Sequence, residues 1–174
     1  EWMNGHYINH VLSVEDLAGR CRPYLEGAGL VDGSTDQGYL EQVVTLVKER
    51  LKLLTEVVDL TEFFFREPRP SREELVGKRL SVDGAAEVIG LARERLSALE
   101  GWEEAALESE MRQLADERGL KAGVLFMALR VAITGRTVSP GLFETMRVVG
   151  RECTLDRLSR AVAALRDTEV GAPS

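Results

Sequence analysis

The sequence predicts an all-α protein of eight or nine helices, grouped in two helical subdomains. Apolar residues recur at spacings of three and four along most of its length, which is the stripe of an amphipathic helix. The alternating runs that half-buried strands require are nearly absent. Residues suited to helix starts (Ser13, Ser71, Ser81, Thr154) and glycine stops (Gly119, Gly135) punctuate the stripes.

Taken in order, Ser13 and Asp16 form a capping-box-like start for a first helix to about Tyr24. "GAGLVDGST" reads as a loop by its glycine and Ser/Thr/Asp content. From Gln37 the apolar positions Leu40, Val43, Val44, Val47, Leu51 and Leu54 predict one long helix, continuing through Val57, Val58 and Leu60 to Phe63, Phe64 and Phe65. "REPRPS" ends it, because two prolines so close together cannot continue a helix. This places a subdomain boundary between residues 66 and 67. Ser71 and Glu74 open a short helix, and Ser81 caps the next, which Glu100 and Gly101 break. "WEEAALESEMRQLADERG" has acids in its first turn and Arg118-Gly119 at its end, as the helix dipole and a glycine cap favour. "KAGVLFMALRVAIT" follows, then "SPGLFETMRVVG" with Pro140 in its first turn. A last helix is capped by Thr154, and residues 169–174 read as a flexible tail.

Composition excludes several classes. At 44% hydrophobic and 29% charged, the chain has the make-up of a folded domain, not a disordered one. No apolar run approaches the roughly 20 residues of a membrane span, so no membrane partner is expected. The chain opens on Glu1 without a signal-peptide pattern, and reads as a piece of something longer. Cys21 and Cys153, with no CxxC spacing, read as two reduced thiols of a cytoplasmic protein. The net charge of −7 argues against a non-specific nucleic-acid binder and against DNA as a partner, but leaves a local binding site open. The basic residues are uneven: Arg66, Arg69 and Arg72 form one group, and Arg130, Arg136, Arg147 and Arg151 another, with Glu144 and Glu152 as the only acids nearby in sequence. Either group reads as solvated helix surface or as an anion-contacting patch.

Catalytic motifs are missing. There is no phosphate-binding G-x-x-x-x-G-K-[ST] loop, no G-x-G-x-x-G and no G-x-S-x-G elbow. His6 and His10 share the i, i+4 spacing of a zinc face, yet no H-E-x-x-H pattern or nearby cysteine supports one, so no metal is expected. The pairs Glu73-Glu74 and Glu103-Glu104 fall in first helical turns, where the dipole accounts for them. No catalytic residue and no cofactor are assigned to this chain.

Two arginines stand out of pattern. Arg50 falls beside the apolar seam of the predicted long helix, and Arg130 lies inside the apolar run 124–133. Arginine is rarely buried without a partner, since lost hydration costs several kcal/mol. Each guanidinium therefore snorkels or pairs with an internal carboxylate, or else projects into a ligand site, where its donor fork suits phosphates and base edges. The corner after Arg130 favours the second reading. It offers the hydroxyls of Thr137 and Ser139, two glycines that allow close approach, and a helix start at Pro140-Gly141 whose free N–H groups favour acceptors. Arg136, in the same corner, and Arg147 read as phosphate contacts or plain surface charge.

Three stretches carry a family resemblance: "EWMNGHYI" at 1–8, "LVKERLKLLTE" at 46–56 and "LRVAITGRTVSPGLFETMRVVGRE" at 129–152. In this order they resemble bacterial-type glutamyl-tRNA synthetases, class I aminoacyl-tRNA synthetases, at the C-terminal end. The resemblance implies a remnant of the stem-contact region at 1–12, anticodon-binding helical subdomains at 13–66 and 67–168, and an all-helical cage. It implies a parent glutamate–tRNA ligase that uses ATP and magnesium, acts as a monomer and sits in the cytoplasm. The "HIGH"-like and "KMSKS"-like catalytic motifs are absent here, so this chain is expected to recognise tRNA and not to activate glutamate. The implied anticodon contacts are Arg50, Arg130, Ser139, Pro140 and Leu142. Arg50 matches the arginine that distinguishes glutamate tRNA from glutamine tRNA, whose anticodons end in C and G. A guanidinium has only donors. It can bond the O2 and N3 acceptors of C, but it meets two N–H donors on G. Two other readings stay open: the same module from a ligase that also charges glutamine tRNA, and a helical protein-interaction module without RNA.

Overall fold

The computed structural model describes residue 8 and residues 10–170, with side chains to residue 167. Among the described residues the chain is all-helical: from residue 14 onward it forms nine α-helices and two short 3₁₀ turns, with no strand. It divides into two compact units, the first ending at Glu67 and the second starting at Pro68. No helix among the described residues is long and apolar enough to cross a membrane. The "EWMNGHYI" motif and the His6–His10 pair fall mostly or partly outside the described residues.

In the first unit, α1 (Val14–Gly27) starts where expected, with Ser13 Oγ accepting from the Asp16 amide at 3.1 Å. It runs three residues further than the sequence predicts and carries Pro23 within it. Arg22 then braces the following loop, donating to the carbonyls of Asp32 and Thr35 at 3.0 and 3.2 Å and to Gln37 Oε1 at 3.0 Å. Asp36 caps α2 (Gln37–Val47).

The long helix predicted from Gln37 to Phe65 is instead broken. A 3₁₀ turn (Lys48–Arg50), an extended Leu51 and a second 3₁₀ turn (Leu54–Glu56) separate α2 from α3 (Val57–Phe65). The Glu56 carboxylate causes the break. Its Oε2 accepts from the backbone amides of Lys52 and Leu53, at 2.7 and 3.0 Å, so neither amide serves a continuous helix. Leu51 and Leu54 remain buried with Leu17, Leu40, Val44 and Val57. The apolar spacing is thus real, but it does not report the path of the backbone. Tyr39 Oη closes the unit onto the end of α3 by donating to Phe64 O at 2.8 Å.

In the second unit, Ser71 caps α4 (Arg72–Val76) and Ser81 caps α5 (Val82–Ala98), each accepting from the amide three residues on. Next come α6 (Glu104–Glu117), α7 (Ala122–Thr134), α8 (Leu142–Val149) and α9 (Arg151–Val170). The core joins Leu75, Ile89, Leu96, Met111, Leu125, Leu129, Met146 and Leu158, with α9 lying along α5 and α4 against α7. Two expected starts move. Pro140 precedes α8, whose cap is Gly141. The last helix begins at Arg151, which leaves Thr154 inside it, fully buried, and not at its cap.

Candidate nucleic-acid interface

The segment from Arg130 to Leu142 is built on the C-terminus of α7. Seven of the helix residues, including Leu125, Leu129 and Ile133, are buried, as the apolar run predicts. The helix stops at Gly135, which adopts φ +73°. A side chain there would be excluded twice: by that left-handed backbone, and because its Cβ would lie 2.9 Å from Pro68 Cβ. Pro68 and the Arg69 backbone therefore pack directly under the corner. Thr134 ties the turn, donating from Oγ1 to Arg130 O at 2.7 Å and accepting from the Arg136 amide at 3.1 Å.

Arg130 is half-buried. Its Nη1 donates to Ser139 Oγ at 2.8 Å, to Pro140 O at 3.0 Å and to Ser139 O at 3.2 Å. Ser139 Oγ in turn donates to Pro140 O at 2.8 Å. The guanidinium thus holds the corner in shape through two loop carbonyls and the Ser139 hydroxyl. Ser139 and Leu142 are 5% and 4% exposed, and Pro140 is buried as well. Contrary to expectation, these side chains are not laid out on the surface. They form the wall behind exposed Gly141.

Beside that wall lies a cleft of about 370 Å³, lined by Arg130, Leu142, Phe143 and Phe126, by Arg112, and by Glu104, Glu108 and Glu144. Arg112 lies over the Phe126 ring at 5.2 Å and is paired with Glu108 at 2.9 Å, while Phe126 meets Phe143 edge-on at 5.0 Å. The α8 N-terminus is not the open anion site the sequence suggests. A Cβ at Gly141 would lie 3.3 Å from the Glu144 carboxyl, so the helix's own acid already covers that end.

The second arginine group is resolved by partners distant in sequence. Arg147 pairs with Glu104 at 3.6 Å. Arg151 donates to the carbonyls of Glu100 and Gly101, at 3.3 and 3.2 Å, and lies over the Trp102 ring. Arg136 is half-buried in the corner. Arg50 belongs to the first unit and ends the 3₁₀ turn Lys48–Arg50, with its side chain exposed. It is not on a helix beside an apolar seam. The residue sequence reasoning missed is Arg157, which is 5% exposed and donates to Ile133 O at 2.7 Å, holding the last turn of α7. The signal was present, since position 157 falls within the buried stripe Thr154, Leu158, Ala161, Leu165.

A family model described as an anticodon binding domain matches residues 16–162. The chain is similar to a glutamate–tRNA ligase of Roseiflexus sp. (strain RS-1), 46% identical over 98% of this chain and 34% of the relative. It is also similar to a glutamate–tRNA ligase of Thermus thermophilus, 41% identical over 93% of this chain and 34% of the relative. In fold it matches a crystal structure of a glutamate tRNA ligase from Elizabethkingia meningosepticum, with a TM-score of 0.79 and 20% identity over 94% of this chain and 31% of that one. The chain spans about a third of the length of these relatives.

Proposed function

This chain belongs to the anticodon binding domain family, and from that premise we propose that it is the tRNA-reading part of a glutamate–tRNA ligase. The observation that carries the reading is the continuous similarity to such ligases over nearly the whole chain. The parent would join glutamate to its tRNA with ATP and magnesium, as a monomer in the cytoplasm. No residue of this chain is assigned to that chemistry.

The geometry supports two recognition elements. The first is the corner of Arg130, Ser139, Pro140 and Leu142. Its rigid wall stands beside a cleft faced by Phe126 and Arg112, where a base splayed from a single-stranded loop finds a π face, donors and acceptors. The second is Arg50, whose exposure leaves it able to meet the third anticodon base. Facing C it bonds two acceptors, and facing G it meets two donors, a mismatch of about 1–3 kcal/mol or roughly 10- to 100-fold. Arg136 fits a phosphate contact. Arg147 could serve as one only by giving up Glu104.

Binding of the two anticodon stem-loops tests this reading. The chain is expected to prefer the glutamate loop, and Arg50→Gln to reduce that preference. Equal affinity for both loops removes the role of Arg50 and points to a ligase that charges both tRNAs. No affinity for either loop, at any salt concentration, points to a protein-interaction module.

A further inference from the structure

Five arginines of the second unit are neutralised by carboxylates: Arg95 by Glu110 and Glu117, Arg112 by Glu108, Arg118 by Glu87, Arg147 by Glu104, and Arg160 by Asp156. The segment Pro68–Leu80 differs. Arg69, Arg72, Lys78 and Arg79 are all exposed, and none of their side chains has a hydrogen bond or ion pair among the described residues. Two acids share the segment, Glu73 and Glu74, in the first turn of α4. Glu74 is engaged by the Ser71 hydroxyl at 3.1 Å.

The position of this segment is fixed at both ends against α7. At one end Pro68 packs under Gly135, and the Arg69 amide lies 3.7 Å from where a Gly135 Cβ would be. At the other end Lys78 and Arg79 rim a shallow groove of about 190 Å³, floored by Leu75, Val124, Ala128 and Met127 of α4 and α7. Met127 is 41% exposed, one of few large apolar side chains left so among the described residues. It lies one turn before Arg130 on the same helix. Unneutralised cations, an exposed thioether and the Arg130 corner are thus arrayed along one helix. The groove is smaller than the roughly 300–1,000 Å³ of small-molecule pockets, and its floor is apolar where its rim is cationic. That combination suits one nucleotide of a strand, its base on the polarisable sulfur and its phosphate at the rim.

We infer that Arg69, Arg72, Lys78 and Arg79, with Met127, form a contact surface for the sugar–phosphate backbone of the anticodon arm outside the bases that are read. This rests on the anticodon-binding reading and adds a sequence-independent element to it. It explains how a chain of net charge −7 would hold RNA: through a strip of four clustered cations left unneutralised, beside a surface where five other arginines are paired with carboxylates.

Titrations of the whole chain with glutamate and glutamine anticodon stem-loops at several salt concentrations test it. Lys78→Gln/Arg79→Gln, and the fourfold variant that adds Arg69→Gln and Arg72→Gln, should bind both loops more weakly by the same factor. The slope of log affinity against log salt should become shallower by about 0.7 for each phosphate no longer engaged. Met127→Ala should weaken binding without changing the slope. The double variant Arg20→Gln/Arg166→Gln removes two exposed, unpaired charges elsewhere and should leave the slope as it was. Circular dichroism verifies folding, and the four cations of the strip hold no ion pair whose removal would disturb it. An unchanged slope in the fourfold variant, or an equal change in the control, overturns the inference. A preference between loops that is lost only through Arg50, with slopes unmoved by the strip, upholds the anticodon reading alone. Slopes that move in a chain without loop preference uphold the strip alone, and a chain that binds neither loop sinks both.

Discussion

Arg130 shows what a single charged residue does inside an apolar helix. Ser139 and Pro140 supply three of its acceptors, so removing the guanidinium takes a donor from two carbonyls and a hydroxyl, and leaves the Ser139 hydroxyl's bond to Pro140 O to hold the corner. Arg130→Ala is expected to cost about 1–3 kcal/mol in urea unfolding and also to weaken binding of either anticodon loop. An unchanged stability would mean that the corner holds its shape without it. Arg130 was visible in the sequence as a misfit, but its partner was not. Ser139 lies nine residues away, beyond a turn whose geometry depends on Gly135 meeting Pro68. Arg157 was missed for a related reason: its acceptor, Ile133 O, lies 24 residues away. Cys21 gives a residue-scale test of burial. Desolvation pushes its thiol up to about 12, so at about pH 8, near the ordinary thiol value, it should resist alkylation in the folded chain and react only after unfolding. Labelling at equal rates in the folded and urea-unfolded chain would contradict that burial.

At the scale of elements, capping residues carried most of the information. Ser13, Ser71 and Ser81 begin helices as expected because an N-cap is a local bond, three residues in reach. The break between α2 and α3 was not legible, because Leu51 and Leu54 keep the buried spacing while Glu56 takes the amides of Lys52 and Leu53. Periodicity reports which side chains are buried, and a carboxylate can redirect the backbone without disturbing it. The Lys52 amide first, then the Leu53 amide and the Lys52 charge, hold the Glu56 carboxyl below its ordinary value. A depressed folded-state value means that this contribution is complete above the unfolded value of about 4.3 and fades as pH falls through the folded one. Glu56→Ala should therefore be less stable than the parent sequence at about pH 7, with the gap closing below about pH 4. A gap of equal size at about pH 3 and about pH 7, in urea titrations, would show that the charge of Glu56 does not hold the corner that presents Arg50.

On the scale of the whole molecule, the proposed recognition is divided between two units with separate buried clusters. The first unit draws on Leu17, Leu40 and Val57, the second on Ile89, Leu129 and Leu158. Neither cluster borrows a residue from the other, so residues 68–174 hold a complete core of their own, and a fragment with these bounds is expected to fold with helical circular dichroism and a cooperative melt. That fragment keeps Arg130, Ser139, Pro140, Leu142 and the cationic segment, but not Arg50. If third-base choice belongs to Arg50, the fragment binds glutamate and glutamine stem-loops alike, while the full chain separates them by about 10- to 100-fold. A folded fragment that still prefers the glutamate loop would move the choice to the second unit and end the case for Arg50. The comparison isolates one base edge: both loops offer the same phosphates to the strip, and the anticodons differ, in the recognition proposed here, by the third base that a donor-only side chain can tell apart.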